Sequence, residues 1–491
     1  MQSTPSSTPN SPPEPLGKLS VWTKLAYGSG DLGAAITGNV LLFYLSPFFT
    51  DVAGLKPSIA ALTQLVGKLW DAVNDPLVGV LSDRTKSGMG RRYPWMIFGA
   101  IPLGIFFFLQ WLVPHFSANE TVNQWGLFAY YTIVSIVFNT AYTAVNLPYT
   151  ALTPELTQDY NERTSLNSFR FVFSIGGSIL SVLIVGFIAS KIPGNSRLQY
   201  AVTGLICALL SVLPVYLCVW GTKKRIAAVA AQHPEENEPV SLPVFQQIKI
   251  AFSNRPFLFV VGIYLCSWLS VQLTATIIPY FVRNWMGSSL EVAQIPGTIV
   301  KVILAVQLTA MGMLFVWSKI SDRFGKKAAY IMGMSLWIIA QAGLFFLQPG
   351  QFVLLYFLAI IAGFGVSVSY LIPWSMLPDV IELDELQTGQ RREGIFYSFM
   401  VFLQKVCLGL AVALVLSCLD WTGYIPPTDA IPLPVQPDAV LLLIRLSIGP
   451  VPTIALIVGI VLAYFYPITR EVHTEILLKL SERKNSEQQG N

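Results

Sequence analysis

The chain has 491 residues, of which 53% are hydrophobic and only 12% charged, with a formal net charge of +4. Soluble domains carry about 25% charged residues, so this balance excludes a water-facing globule. A mean hydropathy of +0.58 points to lipid as the outer solvent, where the surface need not be polar.

Residues 1–17 are rich in Ser, Thr and Pro and lack the apolar core of a signal peptide. They are expected to be a disordered cytoplasmic tail. A bilayer core takes about 20 apolar residues per helix. That ruler finds six spans at about 24–50, 58–81, 93–114, 125–149, 166–190 and 200–221. Six more follow at about 257–281, 294–318, 328–348, 352–376, 395–419 and 441–466. The expectation is an all-α membrane protein with 12 transmembrane helices in two six-helix bundles, 18–221 and 257–467. A central cytoplasmic loop, 222–256, separates them, and 468–491 forms a cytoplasmic tail. Only four of the 31 Lys and Arg (Lys56, Lys191, Arg197, Arg283) fall in the loops opposite the termini. The positive-inside rule therefore places both termini in the cytoplasm of a plasma or inner membrane.

The first span is glycine-rich around Asp31 (Gly28-Ser29-Gly30-Asp31-Leu32-Gly33). The second holds Lys68-Leu69-Trp70-Asp71-Ala72-Val73-Asn74-Asp75-Pro76. An ionisable group at mid-membrane costs about 2.5–3.5 kcal/mol on insertion scales. Lys68, Asp71 and Asp75 share one helical face, which must then line a central cavity. Two carboxylates one turn apart supply hard oxygen ligands for Na⁺, Li⁺ or H₃O⁺. Asp71 and Asp75 are thus the candidate monovalent-cation ligands, and Pro76 is expected to end or bend the helix. On the fourth span, Asn139, Tyr142, Thr143 and Asn146 recur at near-helical spacing, and Arg170 starts the fifth. The span-four groups either line the cavity or bond helix to helix, and Arg170 either pairs with an acid or reaches an anionic substrate. Lys405 is a lone cation deep in the eleventh span, where a counter-ion to the span-two acids and a static assembly network are both open. Lys301 and Arg445 are expected to be structural or interfacial.

The loop after span two reads Ser82-Asp83-Arg84 and then Gly90-Arg91-Arg92. The loop after span eight reads Ser321-Asp322-Arg323-Phe324-Gly325-Lys326-Lys327. The same signature at the same point in each half implies two similar bundles, as in major facilitator transporters. Asp83, Arg84, Arg91, Arg92, Asp322 and Arg323 are read as gate and topology residues. The five cysteines show no metal spacing and the three histidines lie outside the spans. Neither an enzyme motif nor a nucleotide-binding domain is visible, so the expected activity is secondary transport without a cofactor.

The chain resembles the glycoside–pentoside–hexuronide:cation symporters, the melibiose permease family. The likeness is densest at Lys24-Leu25-Ala26-Tyr27-Gly28, Thr50-Asp51-Val52-Ala53-Gly54-Leu55, Trp70 to Pro76, Pro94-Trp95, Arg170-Phe171 and Tyr397-Ser398. It implies a sodium-, lithium- or proton-driven symporter. Asp71 and Asp75, with Asn74 and Thr143, would bind the cation, and Lys405 with Lys68 would couple its charge. Tyr27, Asp31, Tyr142, Asn146, Thr150 and Arg170 would meet the substrate. The chain departs from melibiose permease at the sugar site: its carboxylates of helices one and four fall on Ala35 and Asn146, and its stacking Trp on Thr150. A second resemblance, to the sodium-dependent lysophosphatidylcholine symporters, is carried by Ile372 to Ile381 and by Asn146 to Leu152. The expected function is cation-coupled uptake of a small organic solute, with a glycoside or sugar placed first and a lysolipid second. A non-transporting, receptor-like membrane protein is the alternative of another class. The expected partners are membrane lipids, the solute and the cation, and no nucleic acid.

Overall fold

A computed structural model describes residues 18–85, 87–157, 160–232, 250, 252–389, 392–428 and 430–489. The expected tail 1–17 and residues 233–249 and 251 of the expected central loop lie outside them. The first half holds α1 (Val21–Pro47), α2 (Pro57–Asp83), α3 (Tyr93–Leu109), α4 (Glu120–Thr150), α5 (Tyr160–Lys191) and α6 (Ser196–Gln232). The second holds α7 (Arg255–Tyr280), α8 (Ile295–Phe324), α9 (Lys326–Phe346), α10 (Phe352–Thr388), α11 (Glu393–Trp421) and α12, in two pieces, Asp438–Ile448 and Pro450–Phe465. A last helix, α13 (Arg470–Gln489), follows.

Ten of these helices are long and apolar enough to cross a membrane. The other two expected spans are α3, an apolar helix of 17 residues, and α2, which carries the Lys68, Asp71 and Asp75 charges. Helix starts follow local chemistry. Ser20, Asn119 and Asn254 each accept a hydrogen bond from a backbone N–H of the first turn, the usual N-cap role. Gly449-Pro450 breaks α12, because the proline has no N–H to donate and clashes with the preceding turn.

Among the helix limits and breaks that differ from the sequence reading, three have a clear local cause. The helix through Pro76 runs on to Asp83; the proline removes one backbone bond without stopping it. The helix expected to end at 221 reaches Gln232, since Lys223 to Gln232 is alanine-rich and contains neither Gly nor Pro. The tenth helix passes 376 and two prolines to Thr388, ending on Gly389 at φ +70°, a left-handed cap that glycine adopts without strain.

Packing repeats between the halves. In the first, α1 packs on α5 and α6, α2 on α4, and α3 on α4 and α6. In the second, α7 packs on α11 and α12, α8 on α10, and α9 on α10 and α12. The halves meet through α1–α7, α2–α11 and α5–α8. One continuous buried cluster runs from the first half into Leu273, Tyr280, Phe281, Leu419 and Tyr424 at the end of the second half away from the termini. A separate cluster holds the terminal end of the second half. The halves are therefore fused at one end and individually packed at the other.

Candidate functional site

The α2–α4 contact sets the position of the acids. The Trp70 indole donates to Thr140 Oγ1 at 2.9 Å, Asn139 Nδ2 to the Gly67 carbonyl at 3.2 Å, and Asn74 Nδ2 to the Asn139 carbonyl at 3.4 Å. These bonds fix the rotation of α2 so that Asp71 and Asp75 leave on the face next to α11. Thr143 Oγ1 donates to Asp75 Oδ1 at 2.9 Å and lies 3.5 Å from Asp71 Oδ1. The Lys405 ammonium reaches across from α11 to Asp75 Oδ2 at 2.5 Å and Asp71 Oδ1 at 3.0 Å. One turn further on, Gly409 admits the close approach of the two helices: a Cβ there would stand 2.9 Å from the Lys68 Cβ.

The charge count at this cluster is two carboxylates against one ammonium. The Asp71 side chain is 7% exposed and Asp75 27%, so the surplus negative charge is poorly hydrated. One monovalent cation would balance it, and the carboxylate and hydroxyl oxygens of Asp71, Asp75 and Thr143 are the hard donors such an ion takes. Asn74 is buried beside the acids but donates to α4. Lys68 does not join them. It is exposed, its stem lies against Gly409, and it makes no ion pair among the described residues. All three side chains leave α2 on the side of α11, where Asp71 and Asp75 meet Lys405 and Lys68 meets Gly409 one turn away.

A second polar group lies on α1, α4 and α5. Arg170 Nε donates to Asp31 Oδ2 at 3.3 Å, and the guanidinium stands 5.6 Å from the Tyr149 ring centre. Tyr149 stacks on Tyr27 and donates to the Tyr27 carbonyl at 2.9 Å. The Tyr27 and Thr153 hydroxyls are bonded to each other. Tyr142 packs on Phe138, and Thr150 is turned back onto the Leu147 carbonyl. Among the described residues, the buried side-chain oxygen of Asn146 has no hydrogen-bond partner. An unmet acceptor of this kind is costly unless something else meets it. Asp31 and Arg170 neutralise each other, so this region offers a matched plus and minus rather than bare charge.

The two repeat signatures sit at the terminal end of the bundle. Arg91 and Arg92 reach Glu155 at 3.0 and 3.3 Å, and Arg92 also donates to Ser82. In the second half Lys326 donates to both oxygens of Asp379 at 2.6 and 2.8 Å. Arg84, Asp322 and Arg323 are exposed, and the Arg323 guanidinium lies over Phe324; Asp83 closes α2. Glu155 and Asp379 were missed in the sequence. Their signal is a second internal repeat, Pro148-Tyr149-Thr150 to Pro154-Glu155 and Pro373-Trp374-Ser375 to Pro378-Asp379.

At the opposite end both α1 and α7 finish in one π-helical turn, Phe48–Val52 and Phe281–Trp285. Such wide turns are rare and cluster at functional sites. Each presents one charge, and Asp51 and Arg283 form an ion pair between the halves. Tyr424 donates to Asp51 Oδ1 at 2.9 Å, Thr50 to the same oxygen at 2.7 Å, and Tyr280 shares a hydrogen bond with Thr50. At mid-depth Gln307 of α8 donates to Asn39 of α1 at 2.7 Å. Asp51 entered the sequence reading only as part of a resemblance, and Arg283 only as a loop charge.

Residues 26–470 match the family model described as MFS/sugar transport protein. The chain is 47% identical to the uncharacterized symporter sll1374 of Synechocystis, over 96% of this chain and 98% of that protein. It is 29% identical to sodium-dependent lysophosphatidylcholine symporter 1 of Gallus gallus, over 96% and 91%. It is 28% identical to the sphingosine-1-phosphate transporter MFSD2B of Xenopus tropicalis, over 94% and 91%. Among solved structures, the nucleoside transporter NupG superposes with a TM-score of 0.63 at 13% identity, over 91% of this chain and 98% of that one. The D-xylose-proton symporter gives 0.60 at 16% identity, over 91% and 96%. The proteins named here are all transporters, and at these identities the two structures speak for the fold alone.

Proposed function

The chain belongs to the MFS/sugar transport protein family, and from that premise we propose a symporter in which Na⁺, Li⁺ or H⁺ entering at Asp71 and Asp75 drives uptake of an organic solute by alternating access. One observation carries the reading: the Lys405 ammonium of one half lies across two carboxylates of the other at 2.5 and 3.0 Å. That link is the place where a small cation and a side chain compete. A cation between Asp71, Asp75 and Thr143 takes the oxygens that Lys405 holds. Lys405 then loosens its grip on α2, and the joint between α2 and α11 becomes free to change. While the loosened ammonium stays alongside, two carboxylates, one ammonium and one cation sum to zero, so the passage of the loaded cluster through a changing dielectric costs less. Twelve spans with both termini in the cytoplasm complete the picture, and the contact between Asp51 and Arg283 then closes the outer face.

The solute would lie near Tyr27, Asp31, Tyr142, Asn146, Thr150 and Arg170, between the cation cluster and the terminal end. Two cargo classes are each favoured by an observation. A lysolipid or related amphiphile with a phosphate-bearing head is favoured by the relatives named above, and by the missing sugar carboxylates at Ala35 and Asn146. A glycoside is favoured by the description of the family model and by the unmet Asn146 oxygen, which can accept from a hydroxyl. A receptor that moves nothing would have little use for three costly charges between its halves.

The test is uptake into proteoliposomes under imposed Na⁺, Li⁺ or H⁺ gradients, with a glycoside panel beside a lysophospholipid and sphingosine-1-phosphate. The expected result is accumulation above the equilibrium level for one cargo class under one cation gradient, lost in Asp75→Asn. Accumulation undiminished in Asp75→Asn, or indifferent to every gradient, refutes the assignment.

A further inference from the structure

Outside the transport path, one cluster of titratable side chains joins three segments at the terminal end of the second half. His473, on α13, lies 2.6 Å through Nε2 from Glu382 Oε2 and 3.4 Å from Asp379 Oδ1 of α10. The three offer ligand atoms within 4.8 Å of one another. The Lys326 ammonium of α9, however, already takes both Asp379 oxygens and the Ser375 carbonyl at 2.7 Å, so the cluster reads as a clasp rather than a metal cradle. One helical face of α13 continues the clasp. Ile476 and Leu480 are buried in the second-half core. Arg483 lies against Gly389, where a Cβ would come to 2.9 Å of its Nη2. The opposite face carries an exposed pair, Glu475 and Lys479 at 2.5 Å, and the lysine holds the Glu475 carboxyl below the usual carboxylate range.

The helix therefore packs along the end of α10 from Asp379 to Gly389, four residues before α11 begins at Glu393. At that corner Arg392 holds Asp384 at 2.6 Å. Helix α11 carries Lys405.

We propose that α13 is a strap that makes the second half move as one body: His473 anchors it on Asp379 and Glu382 of α10, where Lys326 of α9 is also held, and Arg483 lies against Gly389 at the corner between α10 and α11. Its function rests on the symport reading: with the corner held, Lys405 leaves the carboxylates only when the whole half moves. With the corner free, α11 moves alone and the cation crosses without cargo.

The experiment compares wild type with His473→Ala and with Glu382→Gln, both distant from the cation cluster, in the full chain. Hydrogen–deuterium exchange reads the strap directly, and cation leak into proteoliposomes without cargo reads its function. The expected result is exchange in residues 380–395 and 470–483 at least tenfold faster in both variants, with cation leak raised severalfold. Unchanged exchange in both variants overturns the strap, since neither readout then has a cause. Faster exchange with unchanged leak overturns the coupling role. Because exchange needs no transport, a failure of the symport reading itself, seen as wild-type uptake indifferent to cations, is distinguishable from a failure of the strap.

Discussion

Replacing Asp51 by Asn removes one charge from the closure between the halves while keeping an oxygen for the Tyr424 and Thr50 hydroxyls to donate to. In the present state the Asp51 side chain is 4% exposed and Arg283 25%. Leaving one member of a buried pair without its partner costs about 3–5 kcal/mol. The quarter-exposed guanidinium keeps some water, so the lower figure applies, about 3 kcal/mol. In a state open at that end Arg283 is hydrated and the penalty is absent. The whole difference therefore appears in the balance of the two states, and about 1.4 kcal/mol is a factor of ten. The expected shift is roughly 100-fold toward the state open away from the termini. Hydrogen exchange in residues 48–55, 280–290 and 419–426 should quicken by a similar factor, because opening exposes those backbones. The exchanged pair, Asp51→Arg with Arg283→Asp, should restore slow exchange. Unaltered exchange in Asp51→Asn, or no rescue by the double exchange, refutes the idea that this pair closes the protein.

Lys405→Gln removes the internal competitor for Asp71 and Asp75. Cation binding measured by calorimetry or thermal shift should tighten about tenfold or more while cation-driven accumulation falls to the background; weaker binding would contradict the competition. Gly409→Leu forces a side chain where a Cβ alone would already be 2.9 Å from the Lys68 stem. Overpacking of this order costs about 1–3 kcal/mol, read as a lower Tm and as loss of the α2–α11 contact in cross-linking. Lys326→Ala leaves Asp379, whose side chain is 6% exposed, without the ammonium that holds it. A loss of about 3 kcal/mol or more is expected, with partial recovery in Lys326→Ala combined with Asp379→Asn, measured by thermal unfolding in detergent.

Much of the architecture was readable because the lipid core imposes one simple rule, a long apolar run per crossing. The pairing of Asp71, Asp75 and Lys405 was readable for the converse reason: each interrupts an apolar run, and a charge that costly in the membrane needs a partner. Lys68 shares the α11 side of α2 with the acids but meets Gly409 rather than a charge, because spacing gives the direction of a side chain while tertiary packing decides its neighbour. The ends of α6 and α10 ran past their expected limits because hydropathy marks the membrane boundary, whereas helix propensity and caps mark where the helix stops. The closure at Asp51, Arg283 and Tyr424 was not readable. Its members lie hundreds of positions apart near loop ends, where charge is ordinary, and nothing in composition says which loop charges meet. Glu155 and Asp379 were within reach, since a Pro-aromatic pair followed by Pro-acid precedes each of them in its half, at spacings that differ by one residue.

The paired π-helical turns also bear on assembly. Corresponding turns in the two halves bear opposite signs, Asp51 in one and Arg283 in the other. Two copies of the first half set face to face would bring carboxylate against carboxylate, and two of the second would oppose guanidinium to guanidinium. A gene cut between α6 and α7 should accordingly yield fragments that prefer their unlike mate.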